Sequence, residues 1–225
     1  MKKIFLVGAL ALFSGMNAQV KYGVKAGYNL SNISAKSTAS SVRFLLGNKS
    51  GFNVGGFVEY GLGNNLSLQG EVLYSNVGAK LTVDTDKLNE EQLRNLPEIE
   101  ELDFKKANAT LSLSQISVPV SLKYTFDKFS VLGGCTINFK AGAKTKLELD
   151  GKSIDTNEDV DIDETIKSQL SSANFGLHLG GEYMFNDNVF VDARYNFGAS
   201  SLNKNFTDYV NLKQRYFQMS IGYKF

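Results

Sequence analysis

Acidic and amide side chains alternate along residues 155–163 in a pattern that could hold a cation. The alternating residues are Asp155, Asn157, Asp159, Asp161 and Asp163. In an extended backbone they would share one face, and their oxygen atoms could ligate a divalent metal ion. A calcium loop of the EF-hand type needs glycine and a bidentate glutamate where this segment has Val160 and Ile166. Because charged runs are usually solvated, we predict an acidic loop without a metal, with a cation site as the alternative.

His178, the only histidine, stands four residues before Glu182 in the segment FGLHLGGEY. A histidine beside a carboxylate can act in acid–base catalysis. An acyl-transfer site would also need a nucleophile such as serine, and this segment contains none. We therefore predict that His178 is a hydrogen-bonded interior residue, and that the protein has no catalytic residues and no cofactor.

Ten charged residues share the polar parity of segments that alternate between apolar and polar side chains. They are Lys21, Lys25, Glu59, Glu71, Lys123, Lys140, Glu182, Asp192, Arg194 and Lys224. Alternation at period two is typical of strands with one apolar and one polar face. Charges that line a narrow interior must be compensated, which predicts a paired internal network. A narrow ion path is the alternative, although an eight-stranded barrel is just wide enough for side chains to fill.

Eight alternating segments predict an all-β fold, an eight-stranded antiparallel transmembrane β-barrel. They cover about residues 20–31, 51–62, 66–81, 111–126, 129–147, 173–185, 189–202 and 216–225. Three short turns, at 63–65, 127–128 and 186–188, are predicted to be periplasmic, and the four longer loops extracellular. Aromatic residues cluster towards both ends of these segments, which predicts girdles at the two membrane interfaces. In the fourth segment the apolar parity slips between Leu113 and Ile116, which predicts a bulge.

Both ends of the chain favour export to an outer membrane. Lys2 and Lys3 precede an apolar run at 4–13, and small or polar residues follow to Ala18. We predict a signal peptide over 1–18 and a barrel domain over 19–225. Residues 216–225 form an alternating strand that ends on Phe225. A barrel can end in this way because closure pairs its last strand with its first and removes the open edge.

Several stretches resemble the eight-stranded outer-membrane β-barrel family that includes PorT-like and OmpX/OmpA-type proteins. They are KYGVKAGYNLSNI, GFNVGGFVEYGL, ISVPVSLKYTF, FGLHLGGEYMF and the ending YFQMSIGYKF. The resemblance implies an integral protein of a Gram-negative outer membrane with periplasmic termini. It also implies that the barrel assembly machinery recognises residues 216–225, that lipopolysaccharide surrounds the barrel, and that an extracellular protein can be a partner.

Composition and charge limit the functions further. The chain has 24 Lys and Arg against 23 Asp and Glu, a balance that does not favour nucleic acid as a partner. Cys135 is the only cysteine, so neither an intrachain disulfide nor a cysteine metal site can form. Acid is concentrated in two predicted loops, 81–110 and 148–172, each with eight Asp and Glu.

Together these observations predict a non-enzymatic barrel that anchors surface-exposed acidic loops. The loops would contact partner proteins, surfaces or lipopolysaccharide. A small passive porin-like channel is the first alternative, and an outer-membrane lipid-modifying enzyme is the second.

Overall fold

The computed structural model describes most of the predicted barrel. The described residues are 20–37, 46–84, 106–149, 152–154, 171–200, 202 and 210–225. The candidate cation ligands Asp155, Asn157, Asp159, Asp161 and Asp163 lie outside these residues, as does the predicted signal peptide. Within the described residues, no helix is both long enough and apolar enough to span a membrane.

Eight long strands carry the fold, and two short ones extend it. The long strands are β1 (Val20–Ser37), β3 (Lys49–Gly63), β4 (Leu66–Asp84), β5 (Lys106–Phe126), β6 (Phe129–Leu149), β8 (Ala173–Met184), β9 (Val189–Gly198) and β10 (Val210–Lys224). The short strands are β2 (Leu46–Gly47), which pairs with β4, and β7 (Lys152–Ile154), which pairs with β6.

The eight long strands form a closed antiparallel ring. Each strand pairs with its neighbour along the chain, and β10 returns to pair with β1 from Gly23–Lys224 to Ser37–Val210. At the seam the amide of Phe225 donates to the carbonyl of Tyr22 over 2.9 Å. The ring leaves no unpaired edge through the membrane-crossing part of the wall, which confirms the predicted barrel and its closure by the last strand.

Tight turns join the strands at the end that holds Val20 and Phe225, called here the turn side. Asn64 and Asn65 both have positive φ, at 51° and 64°, as two-residue hairpins with primed turns require. Asp127 also has positive φ. In the third turn the side-chain oxygen of Asn186 accepts from the amides of Asn188 and Val189. The four longer connections therefore all leave the opposite end, the loop side.

Side chains alternate between an apolar outside and a polar inside through the membrane-crossing part of the wall. On β8, for example, Leu179 is 60% exposed while His178 and Glu182 are buried. Exposed aromatic residues lie at both levels of the outer surface, including Tyr22 and Phe225 on the turn side and Phe52 and Phe217 on the loop side. These positions match the predicted girdles, because amphipathic rings favour membrane interfaces.

Several strands continue beyond the membrane on the loop side. The strands β1, β4, β5 and β6 have 18 to 21 residues, whereas roughly 9–11 tilted residues cross a bilayer. The strands β8 and β9 have only 12 and 10 residues. The wall is therefore taller over most of the ring than in the sector formed by β8 and β9.

In the tall part of the wall the apolar face turns inward. Ile116 is exposed on the outside of β5, but Leu113 is buried on the inside, opposite Val77 and Ala143. The parity slip that predicted a bulge in β5 therefore marks the level where the strand leaves lipid and its inner face becomes the apolar one. A register irregularity does lie beside it, but in β6, between the partners of Ser114 and Gln115.

An apolar cluster closes the loop-side end of the interior. Its members are Ile33, Val77, Ala79, Leu113, Ala143, Leu202 and Tyr216, with Leu111 packed against them. Leu202 belongs to the connection between β9 and β10, yet it is only 4% exposed. This cluster, called here the apolar cap, is buried and has the composition of a soluble protein core.

Candidate functional site: the barrel interior

Four buried charges meet in the middle of the lumen. Lys25 Nζ lies 2.6 Å from Glu71 Oε2 and 2.9 Å from Asp192 Oδ2. Arg194 contacts the other carboxylate oxygen of Glu71, and its Nη2 lies 2.5 Å from Asp192 Oδ2. These residues, the loop-side quartet, come from β1, β4 and β9 and contain two cations and two anions. Each charge thus has an opposite partner, as burial requires.

A second group, the turn-side quartet, occupies the other half of the lumen. Lys123 Nζ lies 2.8 Å from Glu59 Oε2 and 2.6 Å from Glu182 Oε1. Lys224 Nζ contacts the same two oxygens at 3.2 and 2.7 Å. The four residues come from β3, β5, β8 and β10, every second strand of the ring. The quartet therefore ties the wall together across its whole circumference.

An aromatic pair separates the two quartets. Phe57 lies two residues from Glu59 on β3, and Phe190 lies two residues from Asp192 on β9; their rings meet edge to face with centroids 5.5 Å apart. Each ring lies over a glycine on the neighbouring strand, since a Cβ at Gly23 would meet Phe57 at 2.6 Å and one at Gly222 would meet Phe190 at 2.2 Å. Because Gly23 and Gly222 have no side chains, the two rings have room to cross the lumen.

His178 lies beside the loop-side quartet, with both ring nitrogens engaged. Nε2 lies 2.7 Å from Ser121 Oγ, and Nδ1 lies 2.9 Å from Thr136 Oγ1. Ser121 is on β5 and His178 on β8, and they approach each other over Gly134 of β6, which pairs with both. The prediction of a hydrogen-bonded interior histidine is confirmed.

Ser121 and Thr136 are the interior partners that the sequence analysis missed. The segment around His178 contains neither residue, and Ser121 is 57 residues away in the chain. Their inward parity and the intervening glycine are the signals that could have found them. The resulting contact is a serine–histidine pair, but Thr136 rather than a carboxylate holds Nδ1, and both Ser121 and His178 are buried. The pair lacks the acid that orients the histidine of a hydrolytic triad.

Neutral polar side chains fill the lumen between the loop-side quartet and the apolar cap. Asn53 donates to Asn29 and accepts from Ser220, and Asn138 accepts from Gln115 and donates to Asn174. A cavity of about 10 Å³ lies beside Asn138 and Asn174, room for roughly one water molecule. The interior is therefore packed with hydrogen-bonded side chains.

The predicted internal network is confirmed for eight of its ten residues, the two quartets. Lys21 shares their parity but is exposed, because it lies at the turn-side rim. Lys140 is half-buried at the register irregularity of β6. Cys135 is half-buried on the outward parity between Gly133 and Ile137.

A closed ring with an apolar outside and a filled, charge-paired interior defines an integral β-barrel membrane protein. The family comparison identifies the membrane: residues 15–206 match the family described as "Outer membrane protein beta-barrel domain". The chain belongs to this family, and it is an integral protein of the outer membrane. None of the curated proteins matches the sequence.

The chain is similar to several solved outer-membrane barrels at low sequence identity. Ail, the attachment invasion locus protein of Yersinia pestis, solved in complex with the heparin analogue sucrose octasulfate, is 14% identical; the match covers 92% of this chain and 100% of Ail, with a TM-score of 0.45. Neisserial surface protein A is 16% identical over 91% of this chain and 97% of its own, with a TM-score of 0.45. OprG from Pseudomonas aeruginosa is 14% identical over 94% and 98%, with a TM-score of 0.42.

Proposed function

We propose that this protein is a non-enzymatic anchor whose acidic outer loops contact a partner protein, a surface or lipopolysaccharide. The filled lumen is the observation that carries this proposal. Each quartet is internally neutral, the Phe57–Phe190 pair lies between the quartets, and the apolar cap covers the loop-side mouth. A function inside the barrel would require these layers to open, whereas a function at its outer end requires no rearrangement.

The distribution of acid supports a role for the loops. Two connections on the loop side, within 81–110 and 148–172, each contain eight Asp and Glu. Four acidic residues on the strands are paired with cations inside the barrel. The acidic side chains that a partner could contact are therefore mainly in these two connections. An acidic surface favours basic partners and speeds their encounter.

Crosslinking on intact cells tests the proposal. A membrane-impermeant crosslinker should give adducts that disappear when the loops are trimmed by external protease before crosslinking. The variant Asp159→Asn/Asp161→Asn should weaken these adducts. The matched control is Asp127→Asn/Asp187→Asn, since both residues are exposed on the turn side, and it should leave them unchanged. Adducts that survive trimming would refute the proposed role of the loops.

The Ser121–His178 contact is a reason to consider a competing function, that of a lipid-modifying enzyme. Such an enzyme must admit a lipid to Ser121, which is 1% exposed. We expect the lipid composition of outer membranes to be the same with the wild-type protein and with His178→Ala. A modified lipid that is present with the wild type and lost in the variant would overturn the non-enzymatic proposal.

A further inference from the structure

A small cavity lies inside the barrel wall at the level where its shortest strands end. Its volume is about 10 Å³, and residues of β6, β8, β9 and β10 line it. Gly176 on β8 and Gly198 on β9 pair with each other and line the cavity at the inward parity. Because neither has a side chain, a gap remains there in the layer of neutral amides, between the loop-side quartet and the apolar cap. We call this gap the amide cavity.

Two buried side chains at the amide cavity each have one polar atom without a hydrogen-bond partner among the described residues. These atoms are Asn196 Nδ2, a donor, and Gln214 Oε1, an acceptor. Both residues line the cavity, and they are only 6% and 3% exposed. A buried polar atom without a partner costs free energy, so native structures nearly always supply one. The two atoms therefore indicate a ligand that both accepts and donates a hydrogen bond.

The strand register brings the two amides close enough to share one ligand. Asn196 on β9 pairs with Tyr216 on β10, and Gln214 is the next inward residue of β10 towards the loop side. Residues in this diagonal relation lie roughly 7–8 Å apart across an antiparallel pair. Two hydrogen bonds that meet at one oxygen atom span about 5–6 Å between their outer atoms. Side chains of this length can therefore reach a single molecule between them.

Size and charge select the ligand of the amide cavity. A cavity of this volume holds roughly one water molecule. None of the described residues that line it is charged, so an ion would find no opposite charge there. Thr136 also lines the cavity, and its hydroxyl can make a further hydrogen bond besides the one to His178 Nδ1. Buried waters typically make about three hydrogen bonds, which matches these three side chains.

We infer that the amide cavity is a binding site for one water molecule, which accepts from Asn196 Nδ2 and donates to Gln214 Oε1. The inference is independent of the proposed anchor function. Backbone pairing of β9 with β10 ends at Phe197–Arg215, and Gln214 lies one residue beyond that last pair. The water therefore joins the short strand β9 to the long strand β10 at the point where their backbone hydrogen bonds stop. It holds the wall together at this end of their pairing.

A crystal structure of the purified protein, at a resolution that shows ordered water, tests the inference directly. One compact density peak should lie about 2.7–3.2 Å from both Asn196 Nδ2 and Gln214 Oε1. The peak should be lost in Gln214→Met, which keeps the length of the side chain but removes the acceptor. A cavity without a peak, elongated density from a larger hydroxyl-bearing molecule, or an anomalous signal there after a bromide soak would overturn the inference.

Urea titrations in lipid vesicles provide an independent test of the shared water. Gln214→Met and Asn196→Ala should each lower the ratio of folded to unfolded protein about fivefold or more, as loss of a hydrogen bond does. The double variant should lose less than the product of the two single losses, because both changes remove the same water.

The matched control for these titrations is Ser75→Ala. Ser75 Oγ is also buried without a partner among the described residues, but Ser75 does not line the amide cavity. Its removal should leave the ratio within about twofold of the wild type or raise it, since no bound water is lost. Asn196→Ser is the milder variant if Asn196→Ala does not fold. A higher ratio in Gln214→Met, or single losses that multiply fully in the double variant, would refute the shared water.

Discussion

At the scale of single residues, the interior charges behave as two neutral units. Lys25 is 2% exposed and contacts both anions of the loop-side quartet. Lys21 lies four residues earlier on the same strand and at the same parity, yet it is exposed. Their sequence contexts look alike, so the pattern predicted both to be inside. Only the position of the rim, which depends on the register of the whole ring, separates them.

We predict that Lys25→Met is strongly destabilising and that Lys21→Met is not. Removal of Lys25 leaves Glu71 and Asp192 with Arg194 alone, and an uncompensated buried charge costs about 3–5 kcal/mol. The free energy of unfolding, measured by urea titration in lipid vesicles, checks this. Equal losses in the two variants would show that the loop-side quartet does not depend on charge pairing.

The outward face offers a second prediction, at Leu179. The side chain is 60% exposed near the middle of β8, so Leu179→Arg should cost about 2–4 kcal/mol, as charges do at the bilayer midplane. Phe175→Arg, on the same face at the loop-side girdle, should cost less, since the charge penalty falls to about 0–1 kcal/mol near an interface. The same unfolding titration measures both. Equal costs would contradict the depth assigned to the two residues.

At the scale of strands, the alternation predicted the membrane-crossing parts well and the extensions of β1 and β10 poorly. All eight long strands were found, with their turns. The prediction ended β1 at Ser31 and began β10 at Tyr216, whereas both continue far beyond the membrane. Outside lipid the inner face is the apolar one, so the pattern reverses and resembles the end of a strand or, at Leu113 and Ile116, a bulge. A rule that allows this reversal would have located the apolar cap.

The last strand supplies a prediction about assembly. β10 pairs with β1 and β9 along most of its length, so deletion of residues 216–225 removes both closure and the predicted recognition sequence. We expect the truncated protein to be absent from washed outer membranes by immunoblot. Deletion of ten residues in the acidic connection, 88–97, is the control, and it should insert normally because loops tolerate deletion. Normal insertion of the C-terminal truncation would refute the closure argument.

At the scale of the whole molecule, the lumen is a stack of layers that differ in chemistry. From the turn side these layers are a charged quartet, an aromatic pair, a second charged quartet, neutral amides and the apolar cap. The sequence predicted that the inward charges would pair, because parity shows which residues share a face. It did not predict which charges pair or that the two quartets would each be neutral, since these depend on the stagger between strands that are distant in the chain.

This layering decides between an anchor and a channel. An ion crossing the lumen must pass two quartets whose members are already paired, an aromatic pair and an apolar cap that holds no charge to replace its hydration shell. We therefore predict no stable single-channel conductance from purified protein in planar bilayers. Arg194→Glu, inside the lumen, and Arg215→Glu, on the outer wall, make the same charge change in two places. Reproducible conductance steps whose ion selectivity changes with Arg194→Glu but not with Arg215→Glu would establish the channel and refute the anchor.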